Sequence, residues 1–249
     1  MEYKKLVKSL HQKKYRYENQ LFLVEGEKSV LELLHSSWQT EMLFFTDKFF
    51  EKNEKIFRNN TIKLQQRVKE SDLQQISTLK NIDSALAVVK IPENKAFRIE
   101  NEYVLALADI NDPGNLGTII RIADWYGIKK IICSENTVDW YNSKTISASM
   151  ASFLRVSPFY TDLKLFLQNN QLPVYGAFLE GKNIYETTFS PKNGIIVMGN
   201  ESNGIGNELE AYIPNKVHIP RFGQAESLNV GIATAVICDN WKRQFFKTT

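Results

Sequence analysis

Amides and carboxylates outnumber histidine and cysteine in the three segments of this chain whose residue types could do chemistry. The first is ADINDPGNLGTIIRIADWYGI, residues 108–128. Asp112 suits an N-cap and Pro113 a first helical residue, because proline's missing N–H costs nothing there. Leu116, Ile119, Ile120, Ala123 and Gly127 then share one helical stripe, which predicts that they face a sheet. At about 100° per residue, Arg121 lies about 140° from that stripe, on the side of Gly117. It is either a solvated surface arginine or, near the hydrogen-bonding turn 111–115, a group that meets a ligand.

The second segment is IIVMGNESNGIGNEL, residues 195–209. An apolar run enters Gly199, Gly204 and Gly206, which leaves backbone groups open to close approach. Glu201 is the turn's only carboxylate, read either as a charge partner of a helix N-terminus or as a group needing a cation or backbone donors. The third is VHIPRFGQAESLNVGIATAVICDNW, residues 217–241, with Ser227 as the expected N-cap of the last helix. Small residues open that helix, and its later stripe of Ile237, Trp241 and Phe245 is either core or a subunit interface. No Walker A loop or G-x-G-x-x-G fingerprint is present, which disfavours a phosphate-cradling NTPase. Ser227 lacks the G-x-S-x-G elbow of a hydrolase, and His11, His35 and His218 have no metal-site neighbours.

A parallel sheet would hold three such turns together. Apolar runs at 103–110, 128–133, 153–159, 173–179, 194–199 and 216–219 mostly lack alternation, as strands covered on both faces do. Helix-like stretches lie between them at about 114–126, 161–170 and 205–213, and a last one runs from 228 to about 246. This alternation implies a doubly wound sheet with its ligands beyond the strand carboxyl ends, where the three segments lie. Ahead of it, residues 21–90 alternate short strands and helices as a small αβ unit. The aperiodic IPENKAFRIE, 91–100, is the expected linker.

Composition narrows the class. The 249 residues are 43% hydrophobic and 24% charged with 12 Gly and 7 Pro, an ordinary globular mixture. Apolar runs fall far short of the ~20 residues of a membrane span, and the opening residues have no secretory h-region, so a cytoplasmic protein is expected. Cys133 and Cys238 stand in apolar segments and are expected as reduced, buried thiols. Residues 1–100 hold 18 Lys and Arg against 14 Asp and Glu, the remainder 13 against 14. The excess begins with Lys4, Lys5, Lys8, Lys13, Lys14 and Arg16, read as an RNA-binding arm or as a solvated helix face.

Together and in this order, DPGNLGTIIRIA, VMGNESNGI and IPRFGQAESLNVGIATAV resemble the three motifs of the SpoU (TrmH-type) family of RNA ribose 2′-O-methyltransferases, over residues 105–241. FLVEGEKSVLELL is similar to the small domain of ribosomal-protein L30e fold that precedes the catalytic domain in many members. The resemblance implies an α/β chain with an RNA substrate-binding domain at 1–97 and a methyltransferase domain at 101–249. Its mostly parallel sheet would carry a trefoil knot holding S-adenosylmethionine, and a homodimer would let one subunit's first motif complete the other's site. The implied partner is ribosomal or transfer RNA, with no metal and no membrane. Asn115, Arg121, Glu201, Ser227 and Asn229 match the family's catalytic polar residues, and Leu179, Gly199, Asn200, Ile219 and Leu228 its contacts to the methyl donor. Ser202 stands where many members have Gly, and Gly231 where many have Ser.

Methyl transfer from a sulfonium to a ribose hydroxyl is an in-line displacement that relieves positive charge. It asks for alignment, exclusion of water and stabilisation of an oxygen losing its proton. The family's arginine is taken as a general base, but a guanidinium stays protonated in proteins. Arg121 is therefore expected to fix an RNA phosphate and the developing alkoxide, oriented by Asn115 and Glu201. Two readings from other classes compete. A silent RNA-binding or ribosome-assembly protein would not need all five polar side chains, and the basic arm speaks against a small-molecule nucleotide enzyme.

Overall fold

The structure, a computed structural model, describes residues 3–59 and 62–245. Its first elements are α1 (Lys4–Ser9), α2 (Lys13–Asn19), β1 (Leu21–Glu25), α3 (Glu27–Leu34), β2 (Thr40–Phe45), α4 (Asp47–Asn59), β3 (Leu64–Arg67), α5 (Glu70–Ile76) and β4 (Ala85–Lys90). There follow β5 (Tyr103–Leu107), α6 (Pro113–Trp125), β6 (Lys130–Ser134), α7 (Ser143–Ala148), β7 (Ser157–Thr161), α8 (Leu163–Gln168), β8 (Val174–Asn183), β9 (Gly194–Met198), α9 (Asn207–Glu210), β10 (Asn215–His218) and α10 (Val230–Arg243). They form two compact units, Met1–Glu93 with Asp139–Leu154, and Asn94–Val138 with Arg155–Thr249.

In the first unit the sheet order is β1-β4-β2-β3, antiparallel except for the β2–β3 pair. Val7, Leu10, Leu23, Phe44, Leu73, Ile76 and Leu86 form one buried cluster beside it. Compactness divides the chain differently from the expected limits at 97 and 101, because Asp139–Leu154 packs into this unit. The reason is physical. Phe22 of β1 lies 4.8 Å from the Tyr141 ring and 5.9 Å from that of Phe153, and Asp139 pairs with Arg16. Helix α7 within this excursion is not foreshadowed by the apolar pattern; Asn142 caps it, its Oδ1 accepting from the Lys144 N–H.

The second unit is a six-stranded parallel sheet in the order β10-β8-β9-β5-β6-β7. Central β5 and β9 are buried at every position, the physical reason their sequences do not alternate. Asp112 caps α6, its Oδ1 accepting from the Asn115 N–H at 2.9 Å, and Pro113 opens the helix. Leu116, Ile119, Ile120 and Ala123 are buried on its sheet face. Gly127 closes it at φ 75°, where a side chain would be strained.

Helix α10 departs from expectation at its start. Asn229, not Ser227, is its N-cap, because the Asn229 Oδ1 reaches the N–H groups of Gly231 and Ile232 at 2.9 and 3.4 Å. Ile237 and Trp241 are buried within the chain, with the Trp241 ring 4.5 Å from that of Tyr103, so this part of the stripe is core. The helix ends at Arg243, and residue 246 of the expected helix lies outside the described residues. The expected strand 153–159 is a 3-10 turn at Ser152–Leu154 followed by β7. Cys133 and Cys238 are buried free thiols; burial raises both, and Cys238, next to Asp239, is pushed up to about 12. No helix among the described residues is long and apolar enough to cross a membrane.

Candidate functional site

The carboxyl ends of β5 and β9 and the entry of α10 are joined by one chain of hydrogen bonds. It begins where β5 turns out of the sheet. Asp109 adopts φ 57°, uncommon for a residue with a side chain, and three contacts hold it there. Its N–H donates to Ser134 Oγ at 2.8 Å, its Oδ1 accepts from the Ser134 hydroxyl at 2.6 Å, and its carbonyl accepts from Asn200 Nδ2 at 2.6 Å. The bend carries residues 111–115 to the turn after β9, where Glu201 Oε1 accepts from Asn115 Nδ2 at 2.8 Å. Glu201 also accepts longer bonds from the N–H groups of Asn111 and Asp112, at 3.3 and 3.4 Å. Asn115 Oδ1 in turn accepts from Asn229 Nδ2 at 2.9 Å, and Asn229 caps α10.

The turn holding Glu201 is tightly made. Asn200 and Gly204 exchange backbone hydrogen bonds at 2.9 and 3.0 Å, and Asn200 Oδ1 accepts from the N–H groups of Ser202 and Asn203. A Cβ on Gly199 would lie 2.2 Å from the Gly204 carbonyl carbon, so the turn requires glycine there.

Of the five side chains expected to be catalytic, the structure brings Asn115, Glu201 and Asn229 together. Arg121 stands apart. It is exposed on α6 and, among the described residues, has no hydrogen bond or ion pair. It lies about 120° around the helix from Asn115, so the expected orientation by Asn115 and Glu201 is not formed within one chain. Gly117 is buried and gives no open approach beside Arg121. Ser227 is exposed in the loop before α10.

Of the five positions expected to meet a methyl donor, Gly199 and Asn200 follow β9 and Ile219 follows β10, whereas Leu179 lies within β8 and Leu228 just before α10. Pairing between β8 and β10 jumps from Gly176–Lys216 to Lys182–Val217, so the intervening residues of β8 bulge outward. Leu179 stands in that bulge and is 78% exposed. Leu228 is also exposed, Ile219 is half-buried just past β10, and Gly199 and Asn200 form the β9 turn. Among the described residues, no three His, Cys, Asp or Glu side chains gather as metal ligands.

The basic arm forms α1 and α2, where Lys5, Lys8, Lys13 and Lys14 are exposed and Lys4 bonds Gln75. Arg16 is a correction to the sequence reading. It is 2% exposed, donates to Asp139 Oδ2 from Nε at 2.9 Å and Nη2 at 2.6 Å, and donates from Nη1 to the carbonyls of Leu10 and His11. A guanidinium so engaged is not available to a phosphate. Tyr17 donates to the other Asp139 oxygen at 2.9 Å; burial and that carboxylate raise its phenol above the ordinary range. Nothing in the local sequence marks the structural part of Asp109, because its conformation depends on Ser134 and Asn200, distant in sequence.

Residues 102–239 match the SpoU rRNA Methylase family, and residues 3–87 match the MRM3-like substrate binding domain. The chain belongs to the SpoU rRNA methylase family. This SpoU-family chain is 29% identical over 234 residues to the 23S rRNA (guanosine(2553)-2′-O)-methyltransferase RlmP of Bacillus subtilis, covering 92% of each. A TrmH-family structure from Porphyromonas gingivalis is 33% identical with TM-score 0.86, covering 97% of both chains. An AdoMet-bound rRNA methyltransferase from Sinorhizobium meliloti is 27% identical with TM-score 0.87, covering 98% of this chain and 95% of its own.

Proposed function

We propose that this SpoU-family chain transfers a methyl group from S-adenosylmethionine to a ribose 2′-hydroxyl of ribosomal or transfer RNA, as a homodimer in the cytoplasm. The observation that carries the reading is the Glu201–Asn115–Asn229 chain, which ties the three motif segments at one end of a parallel sheet. The surroundings fit the methyl donor, to which exposed Leu179 and Leu228 offer apolar cover. S-adenosylmethionine supplies an electrophilic methyl on a sulfonium. Glu201 and Asn115 hold the turn rigid, so alignment is set before substrate arrives. Arg121 carries a fixed positive charge for an RNA phosphate and for an oxygen losing its proton.

Arg121 serves the partner subunit's site in this reading. Trp125 is four residues further on the same helix face and is 83% exposed, an apolar surface that a second copy would cover. Ser227, in the exposed loop before the α10 cap, belongs to the same proposed site, and Lys5, Lys8, Lys13 and Lys14 to an RNA-binding face. The trefoil knot implied by the motifs also belongs to the proposal; the packing of α10 on α6, where a Cβ at Gly231 would lie 2.9 Å from Thr118 Cγ2, is consistent with a C-terminal chain drawn back beside the first motif.

Calorimetry with S-adenosylmethionine, followed by mapping of 2′-O-methyl groups in RNA from a strain lacking the protein, tests the proposal. Saturable binding and one lost methyl group are expected. Binding without any lost methyl, or no binding by the folded chain, would favour the silent RNA-binding reading.

A further inference from the structure

Beside the Glu201 chain lies a cavity of about 300 Å³ at the carboxyl ends of β5, β6 and β9, near the small end of the range for ligand pockets. Its wall includes Asp109, Asn111, Asn136, Asn203 and Glu208, with Gly204 leaving one side low. The residues expected to meet the methyl donor, apart from Asn200, do not line it.

The wall chemistry is selective. Among the described residues the side-chain amides of Asn111, Asn136 and Asn203 and the carboxylate of Glu208 have no hydrogen-bond partner, although each can make several bonds. Asp109 spends Oδ1 on Ser134. No lysine or arginine lines the cavity, and two carboxylates do, so it disfavours a phosphate. The fitting ligand is a flat, neutral group with paired N–H donors next to a carbonyl. Among the RNA bases, guanine has that edge: N1–H and the exocyclic amine side by side, for the two oxygens of a carboxylate, with O6 beside them for an amide N–H.

We infer that this cavity receives the guanine base of the nucleotide whose ribose is methylated, with Glu208 reading its N–H edge and the three asparagines its remaining polar atoms. The inference rests on the proposed methyl transfer and names the substrate's base. Position supports it, because the backbone N–H of Asn111, a wall residue, donates to Glu201 at 3.3 Å. A base seated in the cavity leaves its own ribose one glycosidic bond away, beside the Glu201–Asn115 pair. Enzymes that act on one nucleotide commonly hold its base out of the stack and read its Watson–Crick edge in this manner.

The test uses the full chain with isotope-labelled asparagine side chains, titrated with guanosine, inosine and adenosine and followed by nuclear magnetic resonance. Guanosine should shift the amide signals of Asn111, Asn136 and Asn203 saturably. Inosine, lacking the exocyclic amine, should bind at least about fivefold more weakly, and adenosine should leave the signals unmoved. Glu208→Gln, an exposed replacement, should close the gap between guanosine and inosine. Equal responses to all three nucleosides, no response, or a gap unchanged in Glu208→Gln would overturn the base site. Calorimetry with S-adenosylmethionine on the same sample separates the two proposals: guanosine bound here without methyl-donor binding would remove the proposed function and keep the base site.

Discussion

Two arginines that look alike in the sequence have opposite surroundings. Arg16 closes a basic run and Arg121 sits in a motif helix, and either could have been expected to face a phosphate. In the first unit Arg16 is buried, with Asp139 and two carbonyls around its guanidinium. In the second unit Arg121 is exposed, with no partner in its own chain among the described residues. A charge taken out of water must be matched inside the fold, whereas one left in water stays available for a ligand. The difference separates an arginine that holds structure from one that is free to act.

The largest effect that would break the comparison is on stability. Arg16→Met leaves the Asp139 carboxylate buried without its cation and should cost about 3–5 kcal/mol, read by urea unfolding. A loss below about 1 kcal/mol would mean that the pair is not holding the excursion 139–154 in place. Arg121→Lys should leave the unfolding curve unchanged and reduce single-turnover methyl transfer on the order of a hundredfold, because a lysine has no planar fork for phosphate and oxygen together. Near-normal transfer would show that a point charge suffices. The smallest effect is expected for Lys13→Gln with Lys14→Gln, two exposed ammonium groups. RNA affinity should weaken modestly, and the slope of log affinity against log salt should become shallower by about 1–2. An unchanged slope would leave these lysines as a solvated helix face.

Much of the scaffold was legible because local rules and tertiary demands agree. Val104, Leu105 and Ala106 read as a doubly covered strand, and they are one. Asp112 and Pro113 read as a helix start, and both sit there. The departures come where a distant residue overrides the local pattern. Ser227 is a good cap by type, but Asn229 is held in place by Asn115 and wins the first-turn amides. The run 139–154 carries no domain signal, and its allegiance to the first unit is decided by Asp139 meeting Arg16, 123 residues away. Asp109 has no sequence mark of its left-handed backbone.

By itself, the sequence determined most of the order of strands and helices, though not α7, together with the apolar stripes that cover the sheet and three ordered motifs that place the chain in its family. These depend on residue types at short spacing, which a linear pattern records. Only the tertiary structure decided which polar groups are spent on the fold and which remain open: Arg16 and Asn200 engaged, Arg121, Asn136 and Glu208 not. That distinction depends on desolvation and on partners far away in the chain, and burial is a property of the folded volume that residue type alone does not carry.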